Sequence, residues 1–214
     1  MPELEQIVET YADREDRGRA VSGSAAVAMV LREGPQGVEA LFIERARRDG
    51  DPWSGQMAFP GGRWEPSDES LRETAARETL EELSVDLSQS PYLGYLGEVT
   101  GAGRAVQVSG YLYHWQGPAP ELRPNEEVAA ALWLPLRALR DPRRFTHYRV
   151  PYAPRENFNG LLIDGVHGEV ELDRPGGPRV LWGLTLRFVR EFHERLGFEF
   201  PVKPEEIPVV GYGV

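Results

Sequence analysis

The 214 residues contain no cysteine. A disulfide framework, a thiolate nucleophile and a zinc-thiolate centre are therefore excluded. Basic residues are in the minority: 24 Lys and Arg stand against 34 Asp and Glu, a formal net charge of −10. That balance argues against binding a nucleic-acid polymer, which is normally driven by basic surface. It leaves room for a small anionic substrate, which local Arg residues and metal ions would decide. No stretch approaches the roughly 18 uninterrupted apolar residues of a membrane span. The opening MPELEQIVETYADRED is acidic and helix-patterned rather than basic and then apolar, so neither a signal peptide nor a membrane segment is expected. Cytoplasmic residence is the default expectation. The four histidines, His114, His147, His167 and His193, have no metal-ligand spacing. Each reads as a surface or packing residue, with His147 beside Tyr148 a candidate pocket lining.

With 41% hydrophobic and 27% charged residues, the composition is that of an ordinary globular protein. The pattern suggests a helical extension over residues 1–20, a main domain over 21–200 and a tail over 201–214. Residues 3–17 read as an exposed helix, with Leu4, Ile7, Val8 and Tyr11 at helical spacing for packing on the domain or on a partner subunit. Ser24–Leu31 and Gly37–Arg45 read as a hairpin around the turn-rich REGPQ. Pro91–Val99, Ala105–Trp115 and Val128–Pro135 read as strands, the last despite its three alanines. Leu136–Leu139 is expected as a short helix, and the following RFTHYRVPYAPRENFNGLLIDG as short strands of a second sheet. Residues 179–196 carry Val180, Leu181, Leu184, Phe188 and Phe192 at helical spacing, a second long helix expected opposite the first. The tail PVKPEEIPVVGYGV has too much Pro and Gly for a regular element and is a candidate arm for exchange in a homodimer.

The chain is organised around Met57–Val85, MAFPGGRWEPSDESLRETAARETLEELSV. A Pro-Gly-Gly turn leads through an acidic loop into a helix whose start is marked by Ser70 and Glu73 at capping-box spacing, with Asp68 and Glu69 at the positive end of the dipole. At about 100° per residue, Ala76, Leu80 and Leu83 fall on one side, to be buried. Glu78, Glu81 and Glu82 cluster almost opposite. Like charges at i and i+4 oppose an isolated helix, and a divalent cation would relieve them; Mg²⁺ often takes only one or two carboxylates plus substrate phosphates and water. A bare glutamate cluster also describes an ordinary solvated helix face.

The order Gly-Gly turn, Arg-Glu pair and Glu-Glu pair sets this stretch apart, and it resembles the signature of the Nudix hydrolases. Glu69, Arg77, Glu78, Glu81, Glu82 and Val85 match the box with the right mutual spacing. Three departures stand out. Gly62 lies one residue too far upstream of Glu69, Ser84 stands where the box has Gly, and Thr79 is not aliphatic. The stretches 41–62 and 179–189 look like the coenzyme A pyrophosphatase branch, including its longer box.

The resemblance implies an α/β (α+β) fold, a Nudix-type α/β/α sandwich with a mixed β-sheet between helices. It implies hydrolysis of a pyrophosphate bond in a nucleoside diphosphate linked to another moiety, coenzyme A or a related nucleotide, with Mg²⁺ or Mn²⁺. Glu78 and Glu82 would hold metal, Glu81 would share it or orient the attacking water, and Arg77 would position a carboxylate. The Gly61–Gly62 turn would bring a backbone carbonyl to the metal, where a side chain would obstruct. Glu127, with Glu126 as the alternate, is picked as the acid across the cleft, or else is an exposed loop acid. Glu81 and Glu127 are the candidates for general base. In the loop ARRDGDPWSGQ, Arg45, Arg47 or Arg48 would meet phosphate and Trp53 would lie against a base, or the loop is plain surface with Trp53 as a packing anchor. Arg104 is a further substrate contact. The competing reading is a catalytically silent Nudix-like binding domain, whose usual mark, a broken Arg-Glu or Glu-Glu pair, is absent here.

Overall fold

The computed structural model describes residues 3–51, 53–101, 106–149, 158–166, 178–200 and 209–211. The hairpin is β1 (Ala25–Gly34) and β2 (Gly37–Arg45), antiparallel. The first strand runs past Leu31 into residues that read as a turn. Arg32 lies opposite Glu39, donates to its Oε2 from Nε and Nη2 at 2.9 and 2.7 Å, and stacks 4.3 Å from the Trp133 ring. Charged residues can continue a strand when the neighbouring strand pairs them.

The two hairpin strands then part. The first residues of β1 leave β2 and pair with β4 (Gly61–Arg63), while the far end of β2 pairs with β3 (Met57–Ala58). The Phe59-Pro60 corner between β3 and β4 fills the wedge, with Ala28 N–H donating to the Pro60 carbonyl at 2.9 Å. This places Gly61 and Gly62 beneath α2 (Leu71–Leu83), which packs on β1 and β4.

On its other edge β1 runs parallel to β6 (Gln107–His114), which pairs antiparallel with β5 (Tyr92–Thr100). The outer edge of β2 carries β7 (Val128–Pro135), antiparallel, with a register shift at Glu44/Arg45. The seven strands form the expected mixed sheet. The alanines of β7 adopt strand because ladder bonds to β2 outweigh intrinsic helix preference. The core beneath α2 holds Ala26, Ala28, Val30, Leu41, Ile43, Leu71, Leu83, Tyr95 and Tyr111.

The N-terminal helix, α1 (Leu4–Tyr11), is shorter than the 3–17 expected, and of the two expected packing partners it takes the domain: Ile7 and Tyr11 are fully buried. It packs on β5, where Gly94 leaves room for the Tyr11 carbonyl that a Cβ would strike. Beyond Tyr11 tertiary contacts displace helix. Arg14 Nη1 donates to the Leu96 carbonyl at 2.8 Å, and Asp16 Oδ1 accepts from Gly18 N–H and the Tyr111 hydroxyl.

Contacts divide the chain into two compact units, residues 1–136 and 137–214. The second opens on two 3₁₀ turns, Ala138–Arg140 and Pro142–Arg144. It holds a four-stranded sheet in the order β10-β9-β8-β11, formed by β8 (Phe145–Arg149), β9 (Phe158–Leu162), β10 (Val180–Trp182) and β11 (Val209–Gly211). The last of these lies in the tail that reads as irregular; it gains order by pairing parallel to β8. Likewise Val180–Trp182 is strand rather than helix, because it pairs with Leu162–Gly160. The helix α3 begins only at Gly183 (φ +64°), runs to Arg195 and packs on β9 and β10. Among the described residues no helix is long and apolar enough to cross a membrane.

Candidate active site

Ser70 caps α2 as its pattern predicts, its Oγ accepting from Glu73 N–H at 3.1 Å. Leu83 is buried and Ala76 packs against the core as expected, but two neighbours differ. Leu80 is 47% exposed, whereas Glu82 is 2% exposed and lies on the sheet side with Leu71, Ala75, Thr79 and Leu83. The glycine turn accounts for the inward-facing acids. At Gly62 a Cβ would run into the Glu78 carboxyl group, and at Gly61 it would run into the backbone of Ala26 and Val27. Gly62, without a side chain, makes the space into which the Glu78 carboxylate turns, and Gly61 lets the strand lie close on β1. Thr79, in a slot the pattern reserves for an aliphatic residue, is fully buried with its hydroxyl bonded to the Ala75 carbonyl at 2.7 Å.

Glu82 accepts from Gly61 N–H at 2.9 Å, and its other oxygen lies 4.0 Å from Arg45 Nη1. Burial pushes its carboxyl up to about 8, helped by the charges of Glu78 and Glu127 and opposed by Gly61 N–H and Arg45. Burial likewise raises Glu78, against the pull of Arg77. Two acids withdrawn from water beside a third of like sign favour a cation. Among the described residues no three His, Asp or Glu side chains form a ready-made metal cage. The donor set still fits a hard divalent ion bound by one or two carboxylates and completed by substrate oxygens and water.

Arg77 ties the constellation together. Its Nε and Nη2 donate to the two oxygens of Asp68 at 2.8 and 3.0 Å, Nη2 also to the Arg63 carbonyl, and Nη1 to Glu78 and Glu81 at 3.1 and 3.2 Å. Sequence reasoning gave Asp68 only a place at the helix dipole and missed its pairing with Arg77. Box spacing selects Glu69, which is exposed. The extra loop residue instead turns Asp68 inward, where it accepts from Glu65 N–H at 3.0 Å and Thr74 Oγ1 at 2.8 Å. Its bond to Arg77 holds its carboxyl down at about 2, although burial opposes this. The one signal was the adjacent Asp in a loop one residue too long.

The end of α2 fixes the opposite wall. Arg123 N–H donates to the Leu83 carbonyl and Asn125 N–H to that of Glu82, so a crossing segment satisfies helix carbonyls that would otherwise lack partners. Asn125 Oδ1 then accepts from Glu127 N–H at 2.8 Å. Glu127 bonds Arg48 Nη1 at 3.0 Å, and Arg48 Nη2 reaches the Glu126 carbonyl at 3.3 Å. Arg45 pairs with Asp51 at 3.3 Å, and the half-buried Trp53 donates its N–H to Asp51 at 2.9 Å within the same loop. Arg104 and His167 lie outside the described residues.

Ser84 is the sole non-glycine residue at positive φ among those described (φ 57°, ψ 31°), filling the left-handed cap of α2. A side chain there costs about 1 kcal/mol relative to glycine. Ser84→Gly is expected to raise unfolding stability by about that amount in a urea titration; a lower midpoint would contradict it.

A family model, the NUDIX domain, matches residues 23–153, well over half of the chain. The chain belongs to the Nudix family. Among curated relatives, this Nudix chain is 33% identical to the mitochondrial coenzyme A diphosphatase NUDT8 of Homo sapiens over 175 residues, 79% of this chain and 67% of that protein. It is 38% identical over 147 residues to the Nudix hydrolase NudL of Yersinia enterocolitica, 67% of each. It also matches a Schizosaccharomyces pombe protein at 38% identity over 118 residues, spanning 36% of that longer protein and 51% of this chain. Among solved structures, a MutT/nudix family protein from Enterococcus faecalis superposes with a TM-score of 0.51 at 18% identity, over 92% of this chain and 70% of that one. That likeness concerns the fold, which is the mixed α and β arrangement the box implied.

Proposed function

We propose that this Nudix chain hydrolyses the diphosphate bond of a nucleoside diphosphate linked to another group, with coenzyme A or a close relative as substrate. The observation that carries the reading is the buried Glu82 carboxyl, held by Gly61 N–H and raised to about 8, with Glu78, also raised by burial, in the space that Gly62 leaves open. Such a pair is poorly placed for stability alone, and cation binding gives it a purpose. Mg²⁺ or Mn²⁺, when bound, neutralises the phosphate oxygens and makes a coordinated water more acidic. Glu78 and Glu82 hold the ion, and Arg77 keeps Glu78 and Glu81 aligned through its bonds to both.

Of the two candidate bases, Glu127 is favoured. Glu81 is paired with Arg77 as Glu127 is with Arg48, so the choice rests on where each acid stands. Glu127 stands on a segment anchored to the end of α2, and its charge reaches both Glu78 and Glu82. Coenzyme A as substrate rests on the NUDT8 relative and on the stretches 41–62 and 179–189.

The test is incubation with Mg²⁺ and, separately, coenzyme A, ADP-ribose, NADH and diadenosine tetraphosphate, with products resolved by chromatography. Cleavage of coenzyme A into two phosphate-bearing fragments, abolished by EDTA, is the expected result. No cleavage of any of the four would favour a binding domain without turnover. Faster cleavage of another member would replace the substrate and leave the chemistry standing.

A further inference from the structure

The sequence suggests that Arg48 meets a substrate phosphate. In the structure its guanidinium is engaged with the wall that carries the favoured base. We propose that Arg48 is a positioning residue for Glu127, clamping that carboxylate over the Glu78–Glu82 pair, and is not a phosphate anchor. The inference rests on the diphosphate hydrolysis proposed above.

Three sets of contacts support it. The backbones of the two segments are joined first: the register shift at Glu44/Arg45 sets Arg45 opposite Val128, and Ala46 N–H donates to the Glu127 carbonyl at 2.7 Å. Arg48 then spans the join with its side chain, bonding Glu127 Oε1 at 3.0 Å and the Glu126 carbonyl at 3.3 Å, with Glu126 Oε1 at 3.7 Å. Finally, Arg48 is itself held, its N–H donating to Ser54 Oγ at 2.8 Å and its carbonyl accepting from Asp51 N–H at 3.3 Å.

The backbone of Glu127 is pinned on two sides, by Asn125 and by Ala46, so only its side chain remains free to wander. A glutamate side chain with 43% exposure samples many rotamers in water, and a base out of reach of its water contributes nothing. One directional, charge-assisted bond from a guanidinium selects the productive set. An arginine spending its donors on Glu127 and on the Glu126 carbonyl is poorly placed to offer a fork to phosphate at the same time. The two roles also make opposite kinetic signatures: a phosphate anchor acts on substrate affinity, a clamp on the chemical step.

The experiment compares the parent chain with Arg48→Ala, Arg48→Lys, Glu127→Gln and the Arg48→Ala/Glu127→Gln double variant, with Mg²⁺ and whichever of coenzyme A, ADP-ribose, NADH and diadenosine tetraphosphate the parent cleaves fastest. Glu127→Gln is expected to lower kcat by about a hundredfold. Arg48→Ala is expected to lower kcat by about tenfold with KM changed less than about twofold, and Arg48→Lys to recover most of that loss. The double variant should be no slower than Glu127→Gln, because a clamp has nothing left to hold. A tenfold rise in KM at unchanged kcat for Arg48→Ala would overturn the inference and restore the phosphate contact. Multiplying effects in the double variant would overturn it too. Absence of turnover in the parent would remove the proposed function and this inference together, so the two failures are distinct.

Discussion

Glu82→Gln is expected to lower kcat by about a thousandfold or more while leaving the metal-free protein at least as stable as the parent. The two halves of that result come from one environment. Only 3% of the Glu82 side chain is exposed, and burial raises its carboxyl to about 8. Without a cation the folded protein at neutral pH therefore carries this group mostly protonated, a state that glutamine copies in shape and charge. The amide oxygen can still accept from Gly61 N–H, so the wedge of β3 and β4 keeps its contact with α2. What is lost is the anionic ligand.

A companion measurement is the pH dependence of melting in EDTA. The folded state binds the Glu82 proton more tightly than the unfolded chain does. The parent should therefore lose stability as pH rises from about 4.5 towards about 8, and the glutamine variant should lack that contribution. Mg²⁺ or Mn²⁺ should raise the melting temperature of the parent and leave the variant almost unmoved. Parental turnover by the variant would remove Glu82 from the site. A collapse in its melting temperature would make the residue structural.

The largest effect on stability is expected at Asp68→Asn, a loss of about 3 kcal/mol in chemical denaturation. Asp68 has 3% of its side chain exposed and accepts from Arg77 Nε, Arg77 Nη2, Glu65 N–H and Thr74 Oγ1. Removing its charge leaves Arg77, itself 21% exposed, short of its main partner among three remaining contacts. The activity should fall by about tenfold to a hundredfold as well, because Glu78 and Glu81 are aligned by the same guanidinium.

The acid response has the opposite sign to that of Glu82. The folded-state carboxyl of Asp68 lies at about 2, below its usual 3.8. Its contribution, on the order of 2 kcal/mol, is complete above about 4 and is lost as pH falls through about 2. The asparagine variant should lose that part of the acid transition. The exposed Glu69, which the box spacing selects, should tolerate replacement by glutamine with little change in melting. If Glu69→Gln matched or exceeded the damage at Asp68, the assignment of the Arg77 partner would be wrong.

The sequence alone determined the family, the helix and its N-cap, the glycine turn, the strand at Val128–Pro135 and the placing of Arg77 beside Glu78 and Glu81. Each of these depends on local spacing: a cap is read over four residues, a helix face over two turns, and a glycine pair announces a backbone that must approach something closely. Only the tertiary structure decided that Glu82 turns inward and Leu80 outward on α2, because a helical wheel sorts residues by polarity and cannot see the room that Gly62 leaves beneath the helix.

The same limit applies to Asp68 and to Arg48. Asp68 lies in a loop one residue longer than the pattern and Arg48 in the loop after β2, and a loop sends a side chain inward or outward according to where its ends are pinned. Val180–Trp182 shows the limit from another side, since an apolar stretch with helical spacing becomes strand when Leu162–Gly160 presents unpaired backbone beside it. Spacing along the chain names the chemical groups, and the partners that pairing and burial supply settle which of them face each other.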